Sequence, residues 1–336
     1  MKKTVILVTL CLAGIALLAS GCSKSKKAGP SANDNGAGGS SANGGAAANG
    51  PTDLKLKWQT GKRYDMEMDL NQSSDTDIPN RPASRTDIKL TQGFHYSLLK
   101  DLPNGGTQVE LEFDRQNFSL TQDDKEIINY DSTQKTPDDP NSPAGPVGKA
   151  MNAMLDVPLD YTLAPDGTVQ TIDGTNELID RIKSAVPNAR TRMQLDQLYD
   201  RDTLKRYLDF AQSLPDHPVS LGDSWTMSQD INNPVGVITV NATYTLKDFE
   251  QHNGHNCAHI AITGDIKTKS TTAANVGAVV TVKKGTITGE AWFDADLGMY
   301  VDINSDQDIT LDIKTRNLAL TQQMKQNVEM SLVDVN

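Results

Sequence analysis

The feature that most constrains this chain is a two-residue rhythm of apolar and polar side chains. Tyr64-Asp65-Met66-Glu67-Met68-Asp69-Leu70 alternates apolar with acidic, and Leu54-Lys55-Leu56-Lys57-Trp58 alternates apolar with basic. A period of two is that of a strand with one buried face. The rhythm returns at Phe94, Tyr96, Leu98; Val109, Leu111, Phe113; and Val157, Leu159, Tyr161, Leu163. It continues at Ile238 to Leu246, Ala258 to Ile262, Ala291 to Phe293, Tyr300-Val301 and Ile309 to Ile313. One polar face per strand indicates antiparallel sheet and excludes a doubly wound α/β core. Turn signals divide the runs: Asn104-Gly105-Gly106, Pro165-Asp166-Gly167, Asn253-Gly254 and Asp296-Leu297-Gly298.

The middle of the chain has helical spacing. Leu178, Ile179, Ile182 and Val186 share a face that Pro187 ends, and Leu204, Tyr207, Leu208, Ala211 and Leu214 follow a candidate cap at Asp202. Weaker helices are expected at Arg190–Tyr199 and around Val147, Met151, Met154 and Leu155, after a proline-rich loop from Pro137 to Pro146. The β-rich portions resemble each other. Gly61 to Leu70 aligns with Gly222 to Ile231, and Tyr96-Ser97-Leu98 followed by Asn104-Gly105 echoes Tyr244-Thr245-Leu246 followed by Asn253-Gly254. The expected fold is mainly β (α+β): a curved antiparallel sheet or half-barrel built from two related β-meander halves with helices inserted between them. The halves are 53–173 and 216–336, the helices 174–215, and together they form one body over 53–336.

Residues 1–21 read as an export signal: Met1-Lys2-Lys3 is basic, Thr4 to Leu18 is apolar, and small residues follow. Leu18-Ala19-Ser20-Gly21-Cys22 resembles a bacterial lipobox, with Ala19 where leucine is commonest. The resemblance implies cleavage after Gly21 and lipidation of Cys22. Ser23, rather than Asp, follows the cysteine, which in Gram-negative lipoproteins implies sorting to the outer membrane. Residues 22–52 are then the lipidated cysteine and a tether of Gly, Ser, Ala and Asn without apolar periodicity. Of three cysteines, Cys11 leaves with the signal and Cys22 carries lipid, so Cys257 has no partner for an internal disulfide.

These features, with Trp58-x-x-Gly61-x-x-Tyr64, Leu163-x-x-Asp166-Gly167 and Leu214-Pro215-x-x-Pro218-Val219-x-x-Gly222-Asp223-Ser224-Trp225, resemble an uncharacterised family of bacterial lipoproteins, a domain of unknown function. The architecture is loosely similar to that of the LolA/LolB periplasmic lipoprotein carriers, which cradle acyl chains.

A net charge of −11, from 32 basic and 43 acidic residues, argues against a nucleic-acid partner. His255, Cys257 and His259 fall on one side of a strand and are soft ligands for zinc or copper; the same face read as ordinary solvated surface is the alternative. Asp294 and Asp296 lack the further ligands of a calcium loop and read as a hairpin turn, while Asp302, Asp306, Asp308 and Asp312 read as an outward face. No nucleophile elbow or phosphate loop is present, and no cofactor or enzymatic activity is expected. Trp58, Met66, Met68, Trp225 and Met227 are either the lining of an apolar ligand cavity or plain core. The function expected is non-catalytic: an outer-membrane lipoprotein, facing the periplasm or the exterior, that binds a lipid or another apolar envelope molecule. A scaffold with a solid core and a metal-binding module are the alternatives. If Cys22 carries the anchor, the full chain sediments with membranes, and Cys22→Ser moves it to the soluble fraction and removes the diacylglycerol mass from its N-terminal peptide.

Overall fold

The computed structural model describes residues 50–134, 144–155, 157–185, 204–205, 210–233, 236–270, 278–315 and 318–336. The signal, Cys22, nearly all of the tether, Asp202, Tyr207, Leu208 and the helix expected at Arg190–Tyr199 lie outside them. Six strands come first: β1 (Arg63–Asp77), β2 (Ser84–Asp101), β3 (Thr107–Gln122), β4 (Lys125–Asp131), β5 (Leu159–Leu163) and β6 (Val169–Asp173). Six follow: β7 (Ser224–Asn233), β8 (Gly236–His252), β9 (His255–Ser270), β10 (Ala278–Asp294), β11 (Met299–Thr315) and β12 (Ala319–Val335). Helix α1 (Ala144–Asn152) precedes β5, helix α2 (Thr175–Ala185) follows β6, and Phe210–Ser213 forms a 3-10 turn.

All twelve strands belong to one antiparallel sheet in the order β6-β5-β3-β2-β1-β12-β11-β10-β9-β8-β7, with β4 paired to the far half of β3. The sheet is not closed into a barrel; β6 and β7 are its edges. The two halves therefore do not form separate facing sheets. They join edge to edge where β1 meets β12.

The halves repeat one local pattern. Gly61 and Gly222 both take φ above +80°. The Gly61 N–H donates to the Leu98 carbonyl and the Leu98 N–H to that of Lys62; Gly222, Leu246 and Asp223 repeat the arrangement. Tyr64 stands opposite Tyr96, and Trp225 opposite Tyr244. Each half carries a β-bulge at the same place, Leu99 in β2 and Lys247 in β8.

Alternation sends Tyr64, Met66, Met68 and Leu70 of β1 to the buried face, joined by Phe94, Tyr96, Leu111, Phe113, Leu246, Ile260, Phe293 and Tyr300. That face is concave, because one short segment touches strands far apart in the sheet. The Tyr161 hydroxyl of β5 donates to the Leu204 carbonyl at 3.0 Å, and the Trp225 indole N–H of β7 to the Ser213 carbonyl at 2.8 Å. Between them the Phe210 ring lies 6.0 Å from Tyr96 and 6.3 Å from Tyr300. On a flat sheet β5 and β7 would stand about 43 Å apart at ~4.8 Å per strand. A ten-residue segment that includes a 3-10 turn spans far less, so the sheet curls around it.

Two expectations are corrected. Leu54–Trp58 is not a strand of the sheet. It is an extended strap across the aromatic end of the bowl, pinned by paired hydrogen bonds between Thr52 and Val219 and by the Lys57 N–H to the Gly298 carbonyl at 3.0 Å. Its alternation is real, since Leu54 is fully buried and Lys55 and Lys57 are exposed, but it reflects extended backbone rather than a ladder. The described part of the Leu204–Leu214 stripe ends in a 3-10 turn rather than α-helix, tightened just before Pro215.

The strap yields a paired prediction. Gly298 has φ +68°, and a Cβ there would lie 2.3 Å from Lys57 Cβ; Gly61 has φ +82° and open space. Both alanine variants incur the left-handed backbone cost of about 1–2 kcal/mol, and Gly298→Ala also displaces the strap. In denaturant titration Gly298→Ala loses more stability than Gly61→Ala, and it alone exposes residues 52–58 to limited proteolysis.

Candidate functional site

The concave face has two characters. At the strap end it is aromatic and filled by the chain itself. Trp58 packs edge-on to Tyr64 and Tyr96 with ring centroids 5.3 and 5.6 Å apart, and Trp225 stacks on Tyr244 at 5.8 Å. Met66, Met68 and Met227 are buried in the same cluster. The Tyr300 hydroxyl shares a hydrogen bond of 2.9 Å with that of Ser213, and burial pushes the phenols of Tyr244 and Tyr300 up, so both stay protonated. The structure thus brings the five cavity candidates, Trp58, Met66, Met68, Trp225 and Met227, into one core with Leu54, Leu204 and Phe210 packed among them.

Farther along the strands a polar stripe crosses this face. Gln72 of β1, Gln326 of β12 and Gln307 of β11 stand directly opposite one another, and Gln92 of β2 faces Gln116 of β3. Gln229 of β7 and Ser305 of β11 join them, and every one of these side chains is buried. The Gln72 amide N–H donates to the Ser74 hydroxyl at 3.2 Å. Both amide atoms of Gln116 and Gln326, the carbonyl oxygens of Gln92, Gln229 and Gln307, and the Ser305 hydroxyl have no hydrogen-bond partner. Each such buried group costs about 1–3 kcal/mol unless a partner meets it, and a native fold usually supplies one in a water or a ligand. The stripe is uncharged, and Met68, Leu70, Met324 and Ile309 flank it on the same face. A depression of about 800 Å³ at this level opens on the other face of the sheet, where it is lined by outward side chains that include Asn71, Arg85, Asp87, Asp306, Asp308 and Lys325.

The sequence reading missed this stripe because hydrophobic periodicity is blind to inward glutamines. The signal available was glutamine at even spacing, Gln322 and Gln326 in a segment whose other inward positions are Leu320, Met324, Val328 and Met330.

On the opposite face, near the hairpin ends of β8 to β11, lie three histidines among carboxylates. The Trp292 ring stacks with His252 at 4.0 Å and with His259 at 5.1 Å, both nearly parallel to it. The Trp292 indole N–H donates to Glu250 at 2.6 Å. His252 pairs with Asp302 at 3.0 Å, His255 with Asp294 at 2.9 Å and His259 with Asp248 at 3.1 Å. His255, Cys257 and His259 do share a side of β9, yet they do not converge as three ligands: the grouping found among the described residues is Asp248, Glu250 and His259. Nor is that side uniformly solvated. Cys257 is fully buried between Glu250 on one neighbouring strand and Asp294 on the other.

Asp294 forms the turn read from the sequence, its carboxylate accepting the backbone N–H groups of Asp296 and Leu297 at 2.9 and 3.0 Å. Asp302, Asp306, Asp308 and Asp312 point away from the core, alternating with buried Ser305, Gln307, Ile309 and Leu311. His95 lies near Glu112 and Asp114, and His217 pairs with its neighbour Asp216.

Burial, followed by the charges of Asp294, Glu250 and Asp302, pushes the Cys257 thiol up from 9.0 to about 12. Within that window an unfolded chain ionises this thiol and the folded chain does not. Its contribution to stability is therefore complete below pH 9 and is lost as pH rises toward 12. A thiol-reactive dye at pH 8 should label the native chain far more slowly than the chain in denaturant, and Cys257→Ala should flatten the fall in stability above pH 9.

Among the described residues no helix is long and apolar enough to cross a membrane. No curated protein matches the sequence. Among solved structures, the chain is similar to one titled for lipid-protein interactions in lipovitellin, with TM-score 0.44 and 13% identity over 83% of this chain. It spans only 26% of that protein's length. A Bacteroides fragilis protein described as exported, with a YmcC-like fold, gives TM-score 0.25 and 10% identity over 85% of this chain and 99% of that one. OpdQ of Pseudomonas aeruginosa gives TM-score 0.23 and 5% identity over 81% and 99%. Residues 104–300 match a family of unknown function (DUF6263), and with well over half its length inside that match the chain belongs to this family.

Proposed function

We propose that this protein is a non-enzymatic lipoprotein of the bacterial envelope, anchored to the outer membrane through Cys22 on its periplasmic or outer side. In this reading the concave face binds an amphipathic envelope molecule with a neutral, hydrogen-bonding head. The membrane is its partner through the N-terminal lipid; nucleic acid is not. The export signal, the lipobox and the tether support the location. The single observation that carries the ligand is the set of orphaned, buried amide atoms of Gln92, Gln116, Gln229, Gln307 and Gln326 on the uncharged inner face. Neutral amides offer both donors and acceptors without charge, which suits hydroxyl, amide or ester groups rather than an anion. The aromatic end is closed by the chain's own Leu54 and Phe210, so the reading places an apolar tail beside Leu70, Ile309 and Met324 instead. The same filled aromatic end favours a second reading, a scaffolding lipoprotein with a solid core.

Native mass spectrometry of the full chain, purified from a lipid-containing bacterial host with its organic extract analysed alongside, separates these readings. The first predicts a retained, stoichiometric amphipathic molecule. The double variant Gln116→Leu/Gln326→Leu loses it while remaining folded and gaining about 1–3 kcal/mol per unsatisfied amide removed. A bare polypeptide mass, unchanged after challenge with an envelope lipid extract, sinks the ligand reading in favour of the scaffold. Equal retention by the double variant removes the glutamines from the site.

A further inference from the structure

We infer that Asp248, Glu250 and His259, on the outward face of β8 and β9, form a binding site for a divalent metal ion of the zinc class. The site is created by the Lys247 bulge. Leu246 points into the core, and strict alternation would send Asp248 after it; the extra residue turns Asp248 and Glu250 outward instead, beside His259 on the neighbouring strand. One ligand atom from each of the three lies within 4.8 Å of the others. His259 Nδ1 is 3.1 Å from Asp248 Oδ1 and 3.7 Å from Glu250 Oε1. Four ligands bonded tetrahedrally to zinc at 2.0–2.2 Å stand about 3.4 Å apart. Two of the observed separations bracket that value, and the third lies within 4.8 Å.

Two further observations point the same way. His259 Nε2 is buried without a hydrogen-bond partner, 3.6 Å from Glu290 Oε1. Metal bound at Nδ1 keeps the proton on Nε2, which faces the Glu290 carboxylate; a carboxylate on that side is the usual support of a metal-ligating imidazole. The groups are also held before any ion arrives. Trp292 donates to Glu250 and stacks on both His259 and His252. Asp248 and Glu250 are half-exposed, which leaves a coordination position open to water. One nitrogen with carboxylate oxygens suits Zn²⁺ or Co²⁺ better than a soft monovalent ion. His255, held by Asp294, and buried Cys257 stand outside this set.

The test is a calorimetric titration of the full chain, without a histidine tag, with Zn²⁺, repeated with Co²⁺ while tryptophan emission is followed. The expected result is one saturable ion per chain, weakened at least tenfold by Asp248→Asn or His259→Ala and unchanged by His255→Ala or Cys257→Ala. Co²⁺ should quench part of the emission, and Trp292→Phe should remove that part. Asp248→Asn keeps the side-chain shape, so it decides the question even if His259→Ala fails to fold. Absence of saturable Zn²⁺ binding below millimolar concentration overturns the site, as does binding that survives Asp248→Asn in a folded chain or that depends on His255 and Cys257.

Discussion

The pairing of the first long strand with the last holds this molecule together. β1 and β12 run antiparallel from Tyr64 opposite Val335 to Asp77 opposite Thr321, with one bulge after Asp65. Without that seam the halves would be two open meanders, each with a long unpaired edge. With it they become one continuous sheet whose outer strands, β6 and β7, are among its shortest. The seam also makes the two ends of the body neighbours: Arg63 and Asn336 exchange backbone hydrogen bonds at 3.1 and 2.9 Å. Such a contact closes a loop nearly as long as the body. Its entropy cost grows only logarithmically with length, but it makes the sheet slow to nucleate.

Register along the seam is guarded by chemistry on both faces. Inward positions on β1 read Tyr64, Met66, Met68, Leu70, Gln72, Ser74, Thr76, and outward ones include Asp65, Glu67, Asp69, Asp75 and Asp77. A slip of one residue would bury that row of carboxylates. Glutamine on the inward face is the milder intrusion: it is polar enough to need partners, yet carries no charge to desolvate. The same stripe lowers the stability of the interior wherever its amides go without partners.

How much of this was legible depended on which side chains faced inward. Strands whose inward positions are aromatic or aliphatic, such as β8 through Ile238 to Leu246, announced themselves. β12 and the far part of β1 did not, because Gln322, Gln326, Gln72, Ser74 and Thr76 occupy inward places. Conversely, Leu54–Trp58 has a perfect strand rhythm and no ladder, since alternation belongs to extended backbone wherever one side is covered. Bulges were the other blind spot. Nothing in the local sequence says that Lys247 is the extra residue, yet it decides that Asp248 and Glu250 join His259. The repeat did not announce the bulges either, although the structure sets both one residue beyond the matched leucines, Leu98 and Leu246.

The strap has a mechanical meaning. Tension arriving from the N-terminal side must pass through Thr52 before it reaches the sheet. There it meets two hydrogen bonds to Val219 of 2.7 and 2.9 Å, then Leu54 in the core, then the Lys57 bond to Gly298. These contacts would yield one after another, paying out a short length of chain while β1 and its seam stay intact. The strap is thus a fuse set ahead of the sheet: it gives way while the fold behind it holds.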